Sequence, residues 1–181
     1  FRQAHPNVDI YLDTGDAADG IDQIKNQGVD LAIAAKPDDL SSSIHFQSIA
    51  TVPLGIATPK INGAVKKALQ ADSVDWANVP IILPEHGVAR KRFEQWFRHK
   101  HAGRPNVYAQ VSGQEALVSM VALGFGIGLS PIVVADNSPV KDLVDLLPDT
   151  QIIPFDLGLC CFKRNLEDPV VAAFLSLAPN N

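Results

Sequence analysis

The pattern of apolar and polar positions is clearest between residues 111 and 131, VSGQEALVSMVALGFGIGLSP. A β-type run, residues 107–111, ends at Ser112-Gly113, and apolar residues then recur at steps of three and four as far as Leu123. That spacing predicts a helix. Glycines that alternate with apolar residues follow and lead to Ser130-Pro131, which predicts a second strand. We therefore interpret this stretch as strand, helix and strand.

The same two periods, repeated along the chain, predict an α/β protein. Alternating or continuous apolar runs indicate strands, and apolar residues three or four apart indicate helices. In chain order the predicted elements are a strand at 8–12, a helix at 17–27, a strand at 30–35, β runs at 46–49 and 54–57, a helix at 64–69, a strand at 79–83, a helix that buries Phe93, Trp96 and Phe97, a short helix or turn at 132–136, strands at 151–155 and 157–162, and a helix from Pro169. Alternating strands and helices predict a parallel sheet covered on both faces. The continuous apolar run DLAIAA at 30–35 is typical of a central parallel strand.

The order of these elements predicts two lobes, because two strand–helix groups are joined by long extended runs. We expect the chain to cross once near residues 57–60 and to return near residues 156–159. Lobe I then comprises residues 1–57 and 159–181, and lobe II comprises residues 58–158. A cleft between two lobes is where a small ligand is enclosed. Residues 1–5 resemble the end of a helix, so we expect the first strand of lobe I to lie upstream of this sequence.

Composition restricts the partners of this chain. Hydrophobic residues make up 46% and charged residues 19%, which is enough to build a core. The chain has 15 basic and 20 acidic residues and a net charge of −5, whereas a surface that grips duplex DNA usually carries a basic excess. No run of about 18 apolar residues is present, so we predict no membrane span. Cys160 and Cys161 are adjacent and are predicted to be ordinary strand residues in a reducing compartment.

Metal and catalytic motifs are weak. The acidic row at positions 13, 16, 19 and 22 matches no calcium loop, and we interpret it as helix capping and a solvated face. His99 and His101 point different ways on a helix and make a poor metal pair. GFGIG follows its helix and lacks the dinucleotide-binding spacing. The pair Glu85-His86 is the only indication of acid–base chemistry, and the polar lining of a cleft explains it equally well. We predict no metal, no cofactor and no enzymatic activity.

Two strand-to-helix turns are the candidate binding elements. Residues 112–114 open a helix whose first backbone N–H groups have no partner inside the helix, and such a helix start suits a carboxylate. Residues 84–87 form a second turn of this kind, and Arg90, one turn into the following helix, is expected to face back over the strand end. In open α/β sheets, ligands lie beyond the carboxyl ends of the strands. The alternative is that the glycine at 113 serves only the tight packing of a buried helix.

The ordered set of motifs resembles the effector-binding domain of LysR-type transcriptional regulators. The residues that carry the resemblance are Phe1, His5-Pro6, Val8, Gly15, the run DLAI at 30–33, and residues 118–131 with their return strand. A closer resemblance, to the branch of this family that activates the acetohydroxy acid isomeroreductase gene, rests on TGDAAD at 14–19, DLAIAAKP at 30–37, RFEQWFR at 92–98, GQEALVSMVALG at 113–124 and NSP at 137–139.

The resemblance implies a two-lobed, periplasmic-binding-protein-like (type II) fold with a hinge crossed twice. It implies a cytoplasmic regulator that pairs as a homodimer through its effector domains and forms a tetramer at full length. DNA binding would belong to an N-terminal winged helix-turn-helix that this sequence lacks. The implied effectors are 2-acetolactate and 2-aceto-2-hydroxybutyrate, and the implied role is control of branched-chain amino acid biosynthesis.

The resemblance also implies a set of ligand contacts. Together with Arg90 from the turn argument, they are Thr14, Gly15, Ala35, Lys36, Glu85, His86, Gly87, Ser112, Gly113, Gln114, Phe125 and Leu129. We expect the 112–114 turn and Arg90 to take a carboxylate, and Thr14 and Gln114 to take a hydroxyl and a ketone. Two other functions stay open from the residues alone: an extracytoplasmic solute-binding protein of the same fold, and an enzyme that acts on small organic acids.

Overall fold

The structure, a computed structural model, describes residues 1–100 and 103–179, so His101 of the weak histidine pair lies outside the described residues. The chain divides into two units. Unit 1 comprises Phe1–Thr51 and Asp156–Asn181, and unit 2 comprises Val52–Phe155. The chain therefore passes into unit 2 at residues 51–52, before the position that the sequence suggests, because the strand that begins at Leu54 pairs only with strands of unit 2.

In the described residues, unit 1 contains a three-stranded sheet, and its middle strand is the one that comes last in the chain. The strands are β1 (Ala32–Ala35), β2 (Ile44–Val52) and β8 (Phe155–Phe162), in the order β1-β8-β2. The helix α1 (Gly20–Lys25) buries Ile21 and Ile24 against this sheet. The strand predicted at 30–35 is present, but the prediction that it is a central parallel strand is wrong: β1 lies at an edge and runs antiparallel to β8. A continuous apolar run indicates that a strand is covered, but not the direction of its neighbour.

The strand predicted at residues 8–12 does not form. No strand of the described residues pairs with this segment. Ile10, Tyr11 and Leu12 are 52%, 94% and 85% exposed. Alternation favours a strand only where a neighbouring strand offers hydrogen bonds and a core face, and this segment meets neither condition here.

Unit 1 closes with the helix α6 (Pro169–Ser176), which begins at the proline as predicted. The carboxylate of Asp168 accepts the N–H groups of Val170 and Val171 at 2.8 and 3.2 Å and caps this helix. The two cysteines are buried and free, and they lie in separate clusters on the two faces of β8, as expected for adjacent strand residues. Burial raises the pKa of the Cys160 thiol to about 11, so this thiol stays protonated and unreactive.

The described residues of unit 2 contain five strands, and three of them run parallel. The strands are β3 (Leu54–Pro59), β4 (Pro80–Pro84), β5 (Asn106–Val111), β6 (Gly128–Pro131) and β7 (Val144–Leu147). β3 runs antiparallel to both β6 and β7, and β4 runs parallel to β5. A parallel bridge between Ile81 and Ile127 joins β4 to the residue before β6. The order across unit 2 is therefore β5, β4, β6, β3, β7, and the parallel strands that the sequence predicted at 79–83 and 107–111 are confirmed.

In the part of unit 2 that the structure describes, four helices accompany these strands: α2 (Ala64–Leu69), α3 (Gly87–His99), α4 (Gln114–Ala122) and α5 (Ile132–Asn137). α3 buries Phe93, Trp96 and Phe97, as the sequence predicted. α4 buries Leu117 and Val118 among others, in a cluster shared with the sheet. In the described part of the chain, no helix has the length and hydrophobicity that crossing a bilayer requires.

The strand predicted at 151–155 is wrong except for its last residue, which begins β8. The Asp149 carboxylate accepts the N–H of Gln151 at 2.9 Å, and the Asp149 carbonyl accepts the N–H of Ile152 at 3.0 Å. These local bonds fold the segment into a turn. An aspartate that satisfies nearby backbone donors competes with strand formation, whatever the apolar pattern of the following residues.

Candidate functional site

Two strand ends meet at one edge of unit 2. In the parallel pair β4–β5, Pro84 lies opposite Val111. The N–H of Glu85 continues the pairing by donating to the Val111 carbonyl at 2.9 Å. The turns 85–87 and 112–114, which the sequence identified separately, therefore lie side by side at the carboxyl ends of their strands.

Both turns depend on a glycine with a positive φ. Gly87 has φ +84° and Gly113 has φ +87°, in a region that side chains with a Cβ rarely adopt. Apart from Gly113 itself and its two chain neighbours, no heavy atom of the described residues lies within 4 Å of a Cβ placed on Gly113. The glycine is therefore required by backbone conformation and not by tight packing, which argues against the packing alternative.

Two helices begin at this edge. α3 starts at Gly87 and α4 at Gln114. Within the described residues the His86 side chain does not cap α3, and Gly113 has no side chain with which to cap α4. The first N–H groups of a helix have no intrahelical acceptor, and the helix dipole adds partial positive charge there. The edge therefore presents two adjacent sets of backbone donors, an arrangement that suits an anionic group.

Arg90 faces back over the strand ends, as predicted. Its Nη1 lies 2.9 Å from the Glu85 carbonyl, 3.3 Å from the Pro84 carbonyl and 3.2 Å from Oε1 of Gln110. Its Nε donates to Oε1 of Glu94 at 2.9 Å. The guanidinium thus joins the turn, β5 and the next turn of α3.

Gln114 contributes an acceptor. Its Oε1 is buried and has no hydrogen-bond partner among residues 1–100 and 103–179. A buried carbonyl oxygen without a donor costs roughly 1–3 kcal/mol. In the same two turns, Ser112, Glu85 and His86 are exposed. The edge therefore combines backbone donors for an anion with one acceptor that a hydroxyl group could satisfy.

Two predicted contacts lie elsewhere in unit 2. Gly126 packs against the Pro80 carbonyl, and the N–H of Ile127 donates to the same carbonyl at 2.9 Å. Phe125 therefore lies at the start of β4, and β4 is five residues long, so Phe125 is roughly 16 Å from the end where Glu85 follows. Leu129 lies within β6 and its side chain is 0% exposed. Phe125 therefore lies at the other end of the sheet from the two turns. The parallel bridge between Ile81 and Ile127 brings Leu129 level with Leu83, near the turns, but its side chain is enclosed in the core.

Phe125 instead forms part of an exposed apolar surface that the sequence pattern did not reveal. Its ring stacks on Tyr108 of β5, with centroids 5.6 Å apart. Leu123 is 63% exposed and Ile61 is 52% exposed, and Ile61 packs against Gly124 between Leu123 and Phe125. The clue in the sequence was the aromatic at the third position of β5, which an alternating strand turns to the same face as its first position.

The other four predicted contacts belong to unit 1. Thr14 and Gly15 are exposed in the segment before α1. Ala35 is buried at the end of β1, and its N–H donates to the Ala17 carbonyl at 3.0 Å. The backbone N–H of Lys36 donates to the Asp156 carbonyl at 2.8 Å, and its ammonium lies 5.6 Å from the centre of the Phe46 ring. Across the residues that the structure describes, no three His, Cys, Asp or Glu side chains are grouped to hold a metal ion.

The family to which these elements belong follows from comparison with known sequences. The profile of the LysR substrate binding domain matches residues 1–180. This chain belongs to the LysR substrate-binding domain family. This match and the relatives of the domain confirm both the predicted resemblance to LysR regulators and the closer resemblance to one branch of that family.

Curated relatives of the LysR domain are named IlvY. The HTH-type transcriptional activator IlvY of Haemophilus influenzae is 44% identical over 178 residues, which are 98% of this chain and 61% of that protein. The HTH-type transcriptional regulator IlvY of Escherichia coli is 40% identical over 184 residues, 100% of this chain and 62% of that protein. The chain thus spans about three fifths of these relatives' length. They are transcriptional regulators and not enzymes, as the sequence predicted.

Solved structures confirm the fold class. The effector binding domain of QuiR in complex with shikimate superposes with a TM-score of 0.76 at 20% identity, covering 97% of this chain and 82% of that one. The regulatory domain of Synechocystis CcmR in complex with 2-PG superposes with a TM-score of 0.75 at 16% identity, covering 97% and 84%. The LysR domain therefore has the α/β, periplasmic-binding-protein-like fold of two lobes that the sequence predicted.

Proposed function

We propose that this chain is the effector-sensing domain of an IlvY-type transcriptional activator, and that it binds 2-acetolactate or 2-aceto-2-hydroxybutyrate without changing it chemically. Support comes from relatives 40–44% identical over essentially the whole chain that are named IlvY. The sequence runs at 14–19, 30–37, 92–98 and 113–124 point to the same branch of the family.

The observation that carries the proposal is the adjacency of the 85–87 and 112–114 turns, held by the bond from the Glu85 N–H to the Val111 carbonyl. The proposed effectors are carboxylates with a hydroxyl and a ketone. Backbone N–H groups at the starts of α3 and α4 would take the carboxylate, since charge-assisted bonds to such donors are strong. Oε1 of Gln114, which has no partner among the described residues, would accept a hydrogen bond from the hydroxyl group. The contacts proposed for Thr14, Gly15, Ala35 and Lys36 rest on the family resemblance alone.

The rest of the activator is proposed from the names of the relatives. We assign DNA binding to a helix-turn-helix outside residues 1–181, because the relatives are called HTH-type and this chain carries a net charge of −5. A cytoplasmic homodimer formed through effector domains, and a tetramer at full length, complete the proposal. Effector binding would favour one arrangement of the domain, and only a difference in affinity between arrangements can shift that equilibrium. The regulated genes would be those of branched-chain amino acid biosynthesis.

Isothermal titration calorimetry of the 181-residue chain tests this function. We expect saturable binding of 2-acetolactate and 2-aceto-2-hydroxybutyrate, one molecule per chain. Pyruvate, which has the carboxylate and ketone but no hydroxyl, should bind at least about tenfold more weakly, because one hydrogen bond is lost. Absence of binding by both hydroxy acids, or equal binding of pyruvate, would contradict the proposal.

A further inference from the structure

We infer that Arg90 is a positioning residue, which fixes the 85–87 turn against β5 and does not itself take the effector's carboxylate. This inference rests on the proposed function, because it assigns a role within the same site. It also replaces the expectation that Arg90 is the cation for the ligand.

The first argument is the set of acceptors around the guanidinium. Three acceptors lie within 3.3 Å of Nη1: the carbonyls of Pro84 and Glu85, and Oε1 of Gln110. Both peptide groups that flank the Glu85 Cα are consequently held, since the Glu85 N–H donates to Val111 and the Glu85 carbonyl accepts from Arg90. Fixing them sets the directions of the N–H groups of the turn and of the start of α3.

The second argument is charge. Nε of Arg90 donates to Oε1 of Glu94 at 2.9 Å, and the two side chains are 28% and 42% exposed. The Glu94 carboxylate already faces Nε, and the carbonyls of Pro84 and Glu85 lie at Nη1. A second carboxylate that binds at Nε or Nη1 would have to displace these acceptors and approach Glu94. At the starts of α3 and α4, by contrast, the first backbone N–H groups have no intrahelical acceptor, and within the described residues no N-cap side chain accepts from them.

The geometry of the guanidinium separates the two roles experimentally. Arginine presents its donors as a planar fork, whereas the lysine ammonium is a single compact charge. Arg90→Lys keeps the positive charge but cannot reach the two carbonyls, Gln110 and Glu94 together. Gln110→Ala removes the side chain on β5 that accepts from the Arg90 guanidinium. It changes none of the atoms proposed to bind effector. Arg98→Lys, on the exposed last turn of α3, makes the same exchange away from the turns.

Calorimetric affinity for 2-acetolactate is the first readout. We expect Arg90→Lys to weaken binding about tenfold, Gln110→Ala to weaken it about threefold, and the double variant to bind no worse than Arg90→Lys, because both changes break one interaction. Arg98→Lys should leave the affinity within about twofold of the unsubstituted chain. Unchanged affinity in Arg90→Lys, or strictly additive losses in the double variant, would overturn the inference. If circular dichroism shows that Arg90→Lys does not fold, the inference is tested with Gln110→Ala, a change at an exposed residue. Unchanged affinity of the Gln110→Ala variant for 2-acetolactate would then overturn the inference.

The second readout needs no ligand. Backbone amide chemical shifts and hydrogen exchange of residues 85–88 in the free chain should change in Arg90→Lys, with faster exchange at Glu85, and should not change in Arg98→Lys. Amides that do not respond to Arg90→Lys would overturn the positioning role whatever the binding result. If the unsubstituted chain binds neither hydroxy acid, the proposed function fails, while the amide signals still decide the role of Arg90.

Discussion

At the scale of single residues, the start of α4 separates a conformational requirement from a chemical one. Gly113 is required because its φ is +87°, and a Cβ there would meet no described atom within 4 Å. Gln114, the next residue, has an ordinary backbone but a buried Oε1 without a donor among the described residues. The first residue shapes the turn, and the second carries the acceptor that we propose a ligand satisfies.

Gln114→Ala should weaken 2-acetolactate binding about tenfold and should not lower the free energy of unfolding. Its buried Oε1 makes no hydrogen bond with the described residues, so removing it relieves a desolvation cost. Calorimetry and urea denaturation measure the two effects. A stability loss as large as the loss in binding free energy would assign Gln114 to the fold and not to the ligand.

Phe125→Ala should leave effector affinity within about twofold of the unsubstituted chain, because the Phe125 ring stacks on Tyr108 at the opposite end of β4 from Glu85. The same titration checks this expectation. A large loss of affinity would restore Phe125 as a ligand contact, as the family resemblance implied.

Gly113→Ala should lower the free energy of unfolding by about 1–2 kcal/mol, because alanine is strained at this φ. Gly63→Ala is the matched control. Gly63 also precedes a helix and also has no described atom within 4 Å of a placed Cβ, but its φ is −168°, which alanine adopts readily. Denaturation by urea should detect only a few tenths of a kcal/mol for this control. Equal effects at the two glycines would show that φ is not the cause.

At the scale of elements, α3 is held at both ends. Arg90 joins its first turn to the ends of β4 and β5. At its C-terminal end, the Asp149 carboxylate accepts hydrogen bonds from Lys100 and from the indole N–H of Trp96, both at 2.8 Å. The Lys100 ammonium also lies 5.1 Å from the Trp96 ring centre. A helix fixed at one end can present its other end in a defined direction.

Asp149 makes this second anchor sensitive to acid. The ammonium of Lys100, then the indole of Trp96 and the N–H of Gln151, lower the pKa of Asp149 from 3.8 to about 2. A depressed folded-state pKa stabilises the fold above the unfolded value, and the contribution disappears as pH falls from about 4 to about 2. Asp149→Asn should therefore cost about 1–2 kcal/mol at pH 7 and progressively less below pH 4.

Urea unfolding monitored by tryptophan fluorescence at pH 7, 5 and 3 measures this difference. Asp145→Asn is the control, since the pair of Asp145 with Lys60 is 55% and 42% exposed and should contribute little. A pH-independent difference between the Asp149 variant and the unsubstituted chain would rule out the carboxylate as its source.

At the scale of the whole molecule, the net charge and the family of this chain suggest that effector binding and DNA binding belong to different parts of the proposed activator. The chain is a LysR substrate-binding domain with 20 acidic and 15 basic residues. Affinity for duplex DNA depends strongly on neutralising phosphates with basic side chains. We expect no mobility shift of duplex DNA by this chain at about 100 mM salt, with the full-length activator as positive control. Retardation of DNA by the chain alone would require a second DNA contact outside the proposed helix-turn-helix.

Sequence patterns were sufficient wherever the decisive interactions are local. The periodic apolar faces of α3 and α4, the proline start of α6 and the two strand-to-helix turns were all predicted from residues close together in the chain. The family resemblance was also carried by short ordered motifs. Each of these features depends on spacing within about one or two helical turns, which the sequence displays directly.

The tertiary structure alone decided the features that depend on distant partners. β1 pairs antiparallel with β8, residues 8–12 find no strand to pair with among the described residues, and Phe125 lies by Pro80. The partners of Arg90 lie on two different strands, and Gln114 has an acceptor that the described chain does not satisfy. A local pattern states how a segment can fold and which side it buries, whereas direction, neighbours and unsatisfied atoms are set by segments far apart in sequence that meet only in the folded chain.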